Sequence, residues 1–201
     1  MWIVIIVVVL VVVIGLLVVV ALNKLRQQRV SVDEAFAGID VQLTRRAELI
    51  PNLVETVKGE AAFEQETLSR VIEARARATA IQVTPGMLDD PQAMERFQQA
   101  QGQLGSALSR LLAVAENYPN LKANQGFQDL RVQLEGTENR VTVARNRYIE
   151  SVQQYNVLAR SFPSNLTAMV FGYQPKPGFT VADEAAISTP PKVDFGGQGG
   201  R

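Results

Sequence analysis

Residues 130–162 read LRVQLEGTENRVTVARNRYIESVQQYNVLARSF, and mostly apolar side chains recur through them in alternating steps of three and four. Leu130, Leu134, Thr137, Val141, Ala144, Tyr148, Val152, Tyr155, Leu158 and Phe162 make that stripe. Such a period is that of an α-helix with one face turned to a core. Carried back to Leu121 it gives about 40 residues, a rod of about 60 Å at 1.5 Å per residue. Asn165 to Tyr173, after the stop at Phe162-Pro163-Ser164-Asn165, predicts one further short helix with Phe171 packing back.

The same period appears upstream. From Asp33 to Ala80 the stripe is Phe36, Ile39, Leu43, Ala47, Ile50, Leu53/Val54, Val57, Ala61, Leu68 and Val71/Ile72. Pro51 interrupts it, and an interior proline removes one hydrogen bond and crowds the preceding turn. The pattern therefore predicts a kinked helix or two helices meeting near Pro51, with Gly59 as a second weak point. Ile81 to Gln92 reads as a connection around Thr84-Pro85-Gly86, and Asp90-Pro91 as an N-cap followed by proline at the first helical position. A helix from Pro91 to about Asn117 carries Met94, Phe97, Leu104, Leu108, Leu111 and Ala115. No run alternates with period two, so a strand-based fold has no support. The fold class is all-α: an elongated antiparallel helical bundle of long helices, over residues 31–172.

Working outward, residues 1–22 are uncharged and almost all Val, Ile and Leu. About 20 apolar residues span a bilayer's hydrocarbon core, so this segment is expected to be an uncleaved transmembrane helix. It is too long for a signal peptide's apolar stretch, and no Ala-x-Ala site follows. A basic juxtamembrane linker over 23–30 carries Lys24, Arg26 and Arg29. The positive-inside rule then places the body in the cytoplasm, at the cell membrane, with a single pass. The same cations suit anionic lipid headgroups. Residues 173–201, with Pro175, Pro177, Pro190, Pro191 and a Gly-rich end, read as a flexible tail in which Val193-Asp194-Phe195 is a candidate peptide ligand.

Composition narrows the chemistry. The chain has no Cys and no His, which removes thiolate and imidazole nucleophiles, bases and metal ligands. No cofactor or metal is expected. Twenty basic and twenty acidic residues balance, so no footprint for nucleic acid is present. Glu135 and Glu138 share a helix face, which an acid–base carboxylate pair would need. No nucleophile or phosphate loop accompanies them, and ion pairing across the bundle is the favoured reading: Arg45 or Arg46 meeting Glu135 or Glu138. Gly136 sits mid-helix at a cost of about 1 kcal/mol relative to Ala. It marks either a close backbone neighbour near Pro51 or simple tolerance.

Three blocks of sequence contain these and more. Gln42-Leu43-Thr44-Arg45-Arg46-Ala47-Glu48-Leu49-Ile50-Pro51-Asn52-Leu53-Val54-Glu55-Thr56-Val57-Lys58-Gly59 resembles the signature of the LemA family of bacterial membrane proteins. Leu134-Glu135-Gly136-Thr137-Glu138-Asn139-Arg140, Ala144-Arg145, Arg147-Tyr148, Tyr155-Asn156, Phe162-Pro163 and Phe171-Gly172 agree with it. The resemblance implies an N-terminal anchor and a mostly helical cytoplasmic bundle, and brings no catalytic activity. Where the family often carries an aromatic residue and a histidine after the glycine, this chain has Phe63 and no histidine. The expected function is a non-enzymatic, membrane-anchored scaffold or adaptor, with Arg45, Arg46, Pro51, Asn52, Glu135, Gly136, Glu138, Asn139 and Arg140 as structural or interaction residues. Membrane lipid, further copies of the chain and other membrane proteins are the expected partners. A Gln-rich face (Gln98, Gln99, Gln101, Gln103), ordinarily solvated, is the one hint of lateral stacking into a homo-oligomer. The alternative is a regulatory subunit of a membrane enzyme such as a protease or transporter.

Overall fold

The computed structural model describes residues 1–60 and 63–179. Val193-Asp194-Phe195 lies outside the described residues. Among those described, all regular structure is helical: α1 (Trp2–Lys58), α2 (Gln65–Ala80), a 3-10 turn (Pro85–Asp89), α3 (Pro91–Ala115), α4 (Pro119–Ala123), α5 (Gln125–Arg160) and α6 (Ser164–Val170).

α1 is one helix of 57 residues. The stretch expected to be a linker, 23–30, is helical throughout, and Ala21 and Leu25 within or beside it are buried. The apolar run and the bundle thus share one rod. α1 also passes through Pro51 without ending. One missing hydrogen bond is outweighed there because the continuing turns bury Leu53, Val54 and Val57. The break comes instead after Lys58, at Gly59.

The remaining ends are set locally. Asp90 caps α3 by accepting from the amides of Gln92 and Ala93, with Pro91 at the first helical position. Asn124, which interrupts the stretch expected to be continuous from Leu121, caps α5 by accepting from the Phe127 amide at 3.1 Å.

α1 and α5 pack antiparallel along most of the bundle, fixed by Phe36 against Tyr148 (ring centroids 5.5 Å) and by Arg46 meeting Glu138. α2 and α3 form a second pair that lies on the first. Two apolar clusters fill the interior. One, near the end of α1 that follows the apolar span, holds Leu25, Val32, Phe36, Ile39, Leu43, Phe97, Tyr148 and Tyr155. The other, at the far end, holds Ile50, Leu53, Val57, Leu68, Val71, Leu104, Leu111 and Leu134. The stripes read from the sequence supply both. Phe162 and Phe171 depart from expectation: they are 80% and 53% exposed rather than packed on the core.

Candidate functional site

The two clusters meet at a polar layer built around Arg46. On α1 it falls between Leu43 and Ile50, each a step of three or four away and each in a different cluster. Its side chain is only 4% exposed. Nη1 donates to Glu138 Oε1 on α5 at 2.9 Å, and Nη2 donates to Gln101 Oε1 on α3 at 2.6 Å and to the Gln101 carbonyl at 3.3 Å. Gln101 in turn donates through Nε2 to the Ala78 carbonyl at the end of α2. Nearby, Arg75 Nε donates to the Ala47 carbonyl at 2.9 Å. One guanidinium therefore ties α1, α3 and α5 at a single level, and Gln101 extends the tie to α2. Its planar fork suits this, because it offers donors in several fixed directions at once.

The layer answers the question posed by the two arginines and two glutamates. Arg46 and Glu138 are brought together. Arg45 points to the exposed surface, and Glu135 accepts from Arg131 Nε at 3.0 Å on the outside of α5. Glu135 and Glu138 are thus engaged separately. Pro51 and Asn52 are exposed on α1, and the Asn52 carbonyl accepts from Thr56 Oγ1. Asn139 and Arg140 are exposed on α5. Gly136 has no close backbone neighbour: a Cβ there would meet nothing within 4 Å. Lys24 and Arg26 are exposed just beyond the apolar span, whereas Arg29 donates to Asp89 Oδ2 at 3.1 Å.

Gln101 is the member of the layer that sequence reading missed. It belongs to the Gln-rich face expected to be solvated, yet it follows Phe97 by four and precedes Leu104 by three, which puts it beside the buried stripe. Gln99 keeps to its own helix, donating to Glu95.

A second constellation lies near the other end of α5. Residues 173–179, read from the sequence as the start of a flexible tail, run back along α5 as a strap. Asn156 holds it in both directions, its Nδ2 donating to the Lys176 carbonyl at 2.9 Å and its Oδ1 accepting from the Lys176 amide at 2.8 Å. The Tyr155 hydroxyl donates to the Gln174 carbonyl at 2.9 Å and that of Tyr148 to the Pro177 carbonyl at 3.1 Å. Lys176 is buried, and its Nζ donates to Asp89 Oδ1 at 2.7 Å. Phe179 packs T-shaped with Tyr148 and lies under the Arg145 guanidinium, 5.1 Å from the ring centre. Burial pushes both phenols, Tyr148 and Tyr155, above the ordinary tyrosine range, and the carboxylates of Asp33 and Asp89 add to this. Both hydroxyls are therefore fixed as donors.

Three blocks quoted from the sequence, around Arg46, Glu138 and Tyr155-Asn156, thus build the arginine layer and the strap. The LemA family model matches residues 35–195. The chain belongs to the LemA family. Among relatives of this LemA-family chain, the magnetosome protein MamQ of Magnetospirillum gryphiswaldense is 27% identical over 154 residues, covering 69% of this chain and 57% of that protein. Magnetosome protein MamQ 2 of Paramagnetospirillum magneticum is 24% identical over 156 residues, with the same coverage of 69% and 57%. Protein LemA of Metamycoplasma hominis is 24% identical over 144 residues, covering 72% of this chain and 58% of that protein. The chain spans less than two thirds of the length of each of these relatives.

Proposed function

We propose that this LemA-family chain is a non-enzymatic scaffold or adaptor, anchored in the cell membrane by α1 and presenting its bundle on the cytoplasmic side to further copies of itself or to other membrane proteins. The observation that carries the reading is the unbroken α1. Its apolar segment is long enough to cross a bilayer, and an 18-residue stretch of it has no residue buried within the chain. The same helix then enters the core and is tied at Arg46 to α3 and α5. A bundle so joined to its span is held at a fixed distance from the membrane, which serves an adaptor. The two polar constellations favour the same reading, because Arg46, Lys176, Tyr148 and Tyr155 each hold helices or strap together. Lys24 and Arg26, exposed at the end of the apolar run, supply the charge bias for a cytoplasmic body.

The test is the mass and composition of the particle extracted with its native lipids. Multiples of the 22.0 kDa chain alone would support self-assembly. A second protein in fixed ratio, with an activity that changes when this chain is removed, would replace the scaffold by a regulatory subunit. Sidedness is read independently. A single cysteine introduced at Ala37 should stay unlabelled by an impermeant thiol reagent in intact cells.

A further inference from the structure

We propose that the segment 161–175, centred on α6, seats in the interfacial layer of the membrane that α1 enters, giving the bundle a second, monotopic attachment. The inference rests on the reading of α1 as a membrane span.

The first observation is position. Arg46 opposite Glu138 and Phe36 opposite Tyr148 set the register of α1 and α5. Each step forward on α5 faces one step back on α1, so Arg160, the last residue of α5, comes opposite Lys24. The chain then turns into α6, which packs on both α1 and α5. Ala168 of α6 belongs to the same buried cluster as Leu25. Ala21, inside the apolar run, is itself only 6% exposed, so the body reaches down to the end of the span. α6 is thereby held at the level where α1 leaves the hydrocarbon.

The second observation is chemistry. α6 buries Thr167 and Ala168 against the bundle. Leu166, Met169 and Val170, at helical spacings of three and four, face away, with Met169 74% and Val170 76% exposed. Phe162 and Phe171 continue this apolar surface on either side. A contiguous exposed apolar patch of this kind marks a partner or a membrane. Charge decides between them. From Ser161 to Pro175 the sequence contains no Asp, Glu, Lys or Arg, although charged residues make up 20% of the chain. The next cation, Lys176, is turned inward to Asp89 and buried. The exposed cations at this level include Lys24, Arg26 and Arg160, with Arg29 a turn further on paired to Asp89, at the rim where anionic headgroups would lie. Short apolar helices placed at a bilayer surface bury their outward face at the boundary of headgroups and acyl chains. Here that face needs no search for the surface, because α1 delivers it there.

The chain lacks cysteine, so one introduced site carries one label. The full chain is placed in nanodiscs with Met169→Cys labelled by an environment-sensitive fluorophore, and the lipids are exchanged for ones brominated at shallow acyl positions. Val132→Cys, exposed near the start of α5 and far from the apolar run, is the control for the bundle surface, and Trp2, the single tryptophan, reports on α1. Bromination should lower emission at position 169 by about two-fold while leaving position 132 unchanged, as shallow insertion requires. Quenching of Trp2 without quenching at 169 would overturn the proposal and leave the α1 anchor standing. A label at 169 that is shielded from water but not quenched would overturn it in favour of a second protein or copy covering α6. Failure of both signals would remove the anchor reading with it. Met169 lies outside the core, and circular dichroism verifies that the labelled variant keeps its helices.

Discussion

Arg46 and Glu138 stand 92 positions apart in the chain and meet at 2.9 Å, with the arginine buried and the glutamate 46% exposed. The asymmetry fixes what each substitution does. Glu138→Ala leaves a buried guanidinium with only the Gln101 oxygens, and is expected to cost about 1–2 kcal/mol, below the range for a fully buried pair because water reaches Glu138. Arg46→Met removes the buried charge itself and leaves a glutamate that can hydrate. Thermal unfolding of the full chain in nanodiscs should rank Glu138→Ala as the more damaging of the two. The reverse order would mean that the glutamate contributes little to the layer.

Gly136 and Gly102 lie inside helices with open space where a Cβ would go. Alanine at either should raise stability by about 1 kcal/mol, the difference in helix propensity. A higher midpoint for Gly102→Ala with a lower one for Gly136→Ala would identify the Gly136 face as covered by another molecule in the native particle.

The strap is held by a two-way amide clasp. Asn156→Ala removes both hydrogen bonds to Lys176 and leaves that residue's amide without its partner. Hydrogen exchange at the Lys176 amide should accelerate by roughly ten-fold or more, as loss of about 1–2 kcal/mol of local stability implies. Exchange along the middle of α5 should stay as it was. An unchanged rate at Lys176 would show that Lys176–Asp89 and the tyrosines suffice.

Tyr148 and Tyr155 supply a pH dependence with a definite sign. Their phenols titrate higher in the folded chain than in the unfolded one, chiefly through burial. The folded state therefore keeps its protons where the unfolded state loses them. The stability linked to these groups is complete below the ordinary phenol value of about 10 and is lost as pH rises from there through the raised folded values. Alkaline titration of the melting temperature should show this decline. Tyr148→Phe should make it shallower while lowering the plateau, since the bond to the Pro177 carbonyl goes too. A decline that keeps its slope in that variant would assign it to other groups.

Much of the fold was legible because it rests on periodicity. The buried faces of α1, α3 and α5 follow the stripes through Phe36–Val57, Met94–Ala115 and Leu134–Tyr155 almost residue for residue. An ion pair between an arginine of the first block and a glutamate of the second was legible too, though not which of the four combinations forms: that depends on which side chain the packing of α1 on α5 buries. Three features were not. Whether Pro51 ends a helix depends on the tertiary burial of Leu53, Val54 and Val57, which outweighs one lost hydrogen bond. Gln101 looked solvated because it falls in a run of glutamines, Gln98, Gln99 and Gln103, whose residue type ordinarily faces water. The docking of residues 173–179 is carried by backbone carbonyls accepting from Tyr148, Tyr155 and Asn156, and backbone acceptors leave no mark on a sequence rich in proline.

The continuity of α1 makes the bundle a lever. A helix of 57 residues extends about 85 Å, of which about 54 Å lies beyond the apolar run. Where the bilayer thins or thickens, a spanning helix accommodates by tilting. With no hinge at the surface, a tilt of about 10° would sweep the far tip of the bundle by about 9 Å, by the same helical geometry. With α1 spanning a bilayer as proposed, a change in lipid composition would thus be converted into a lateral displacement several times larger than the change in thickness that produced it.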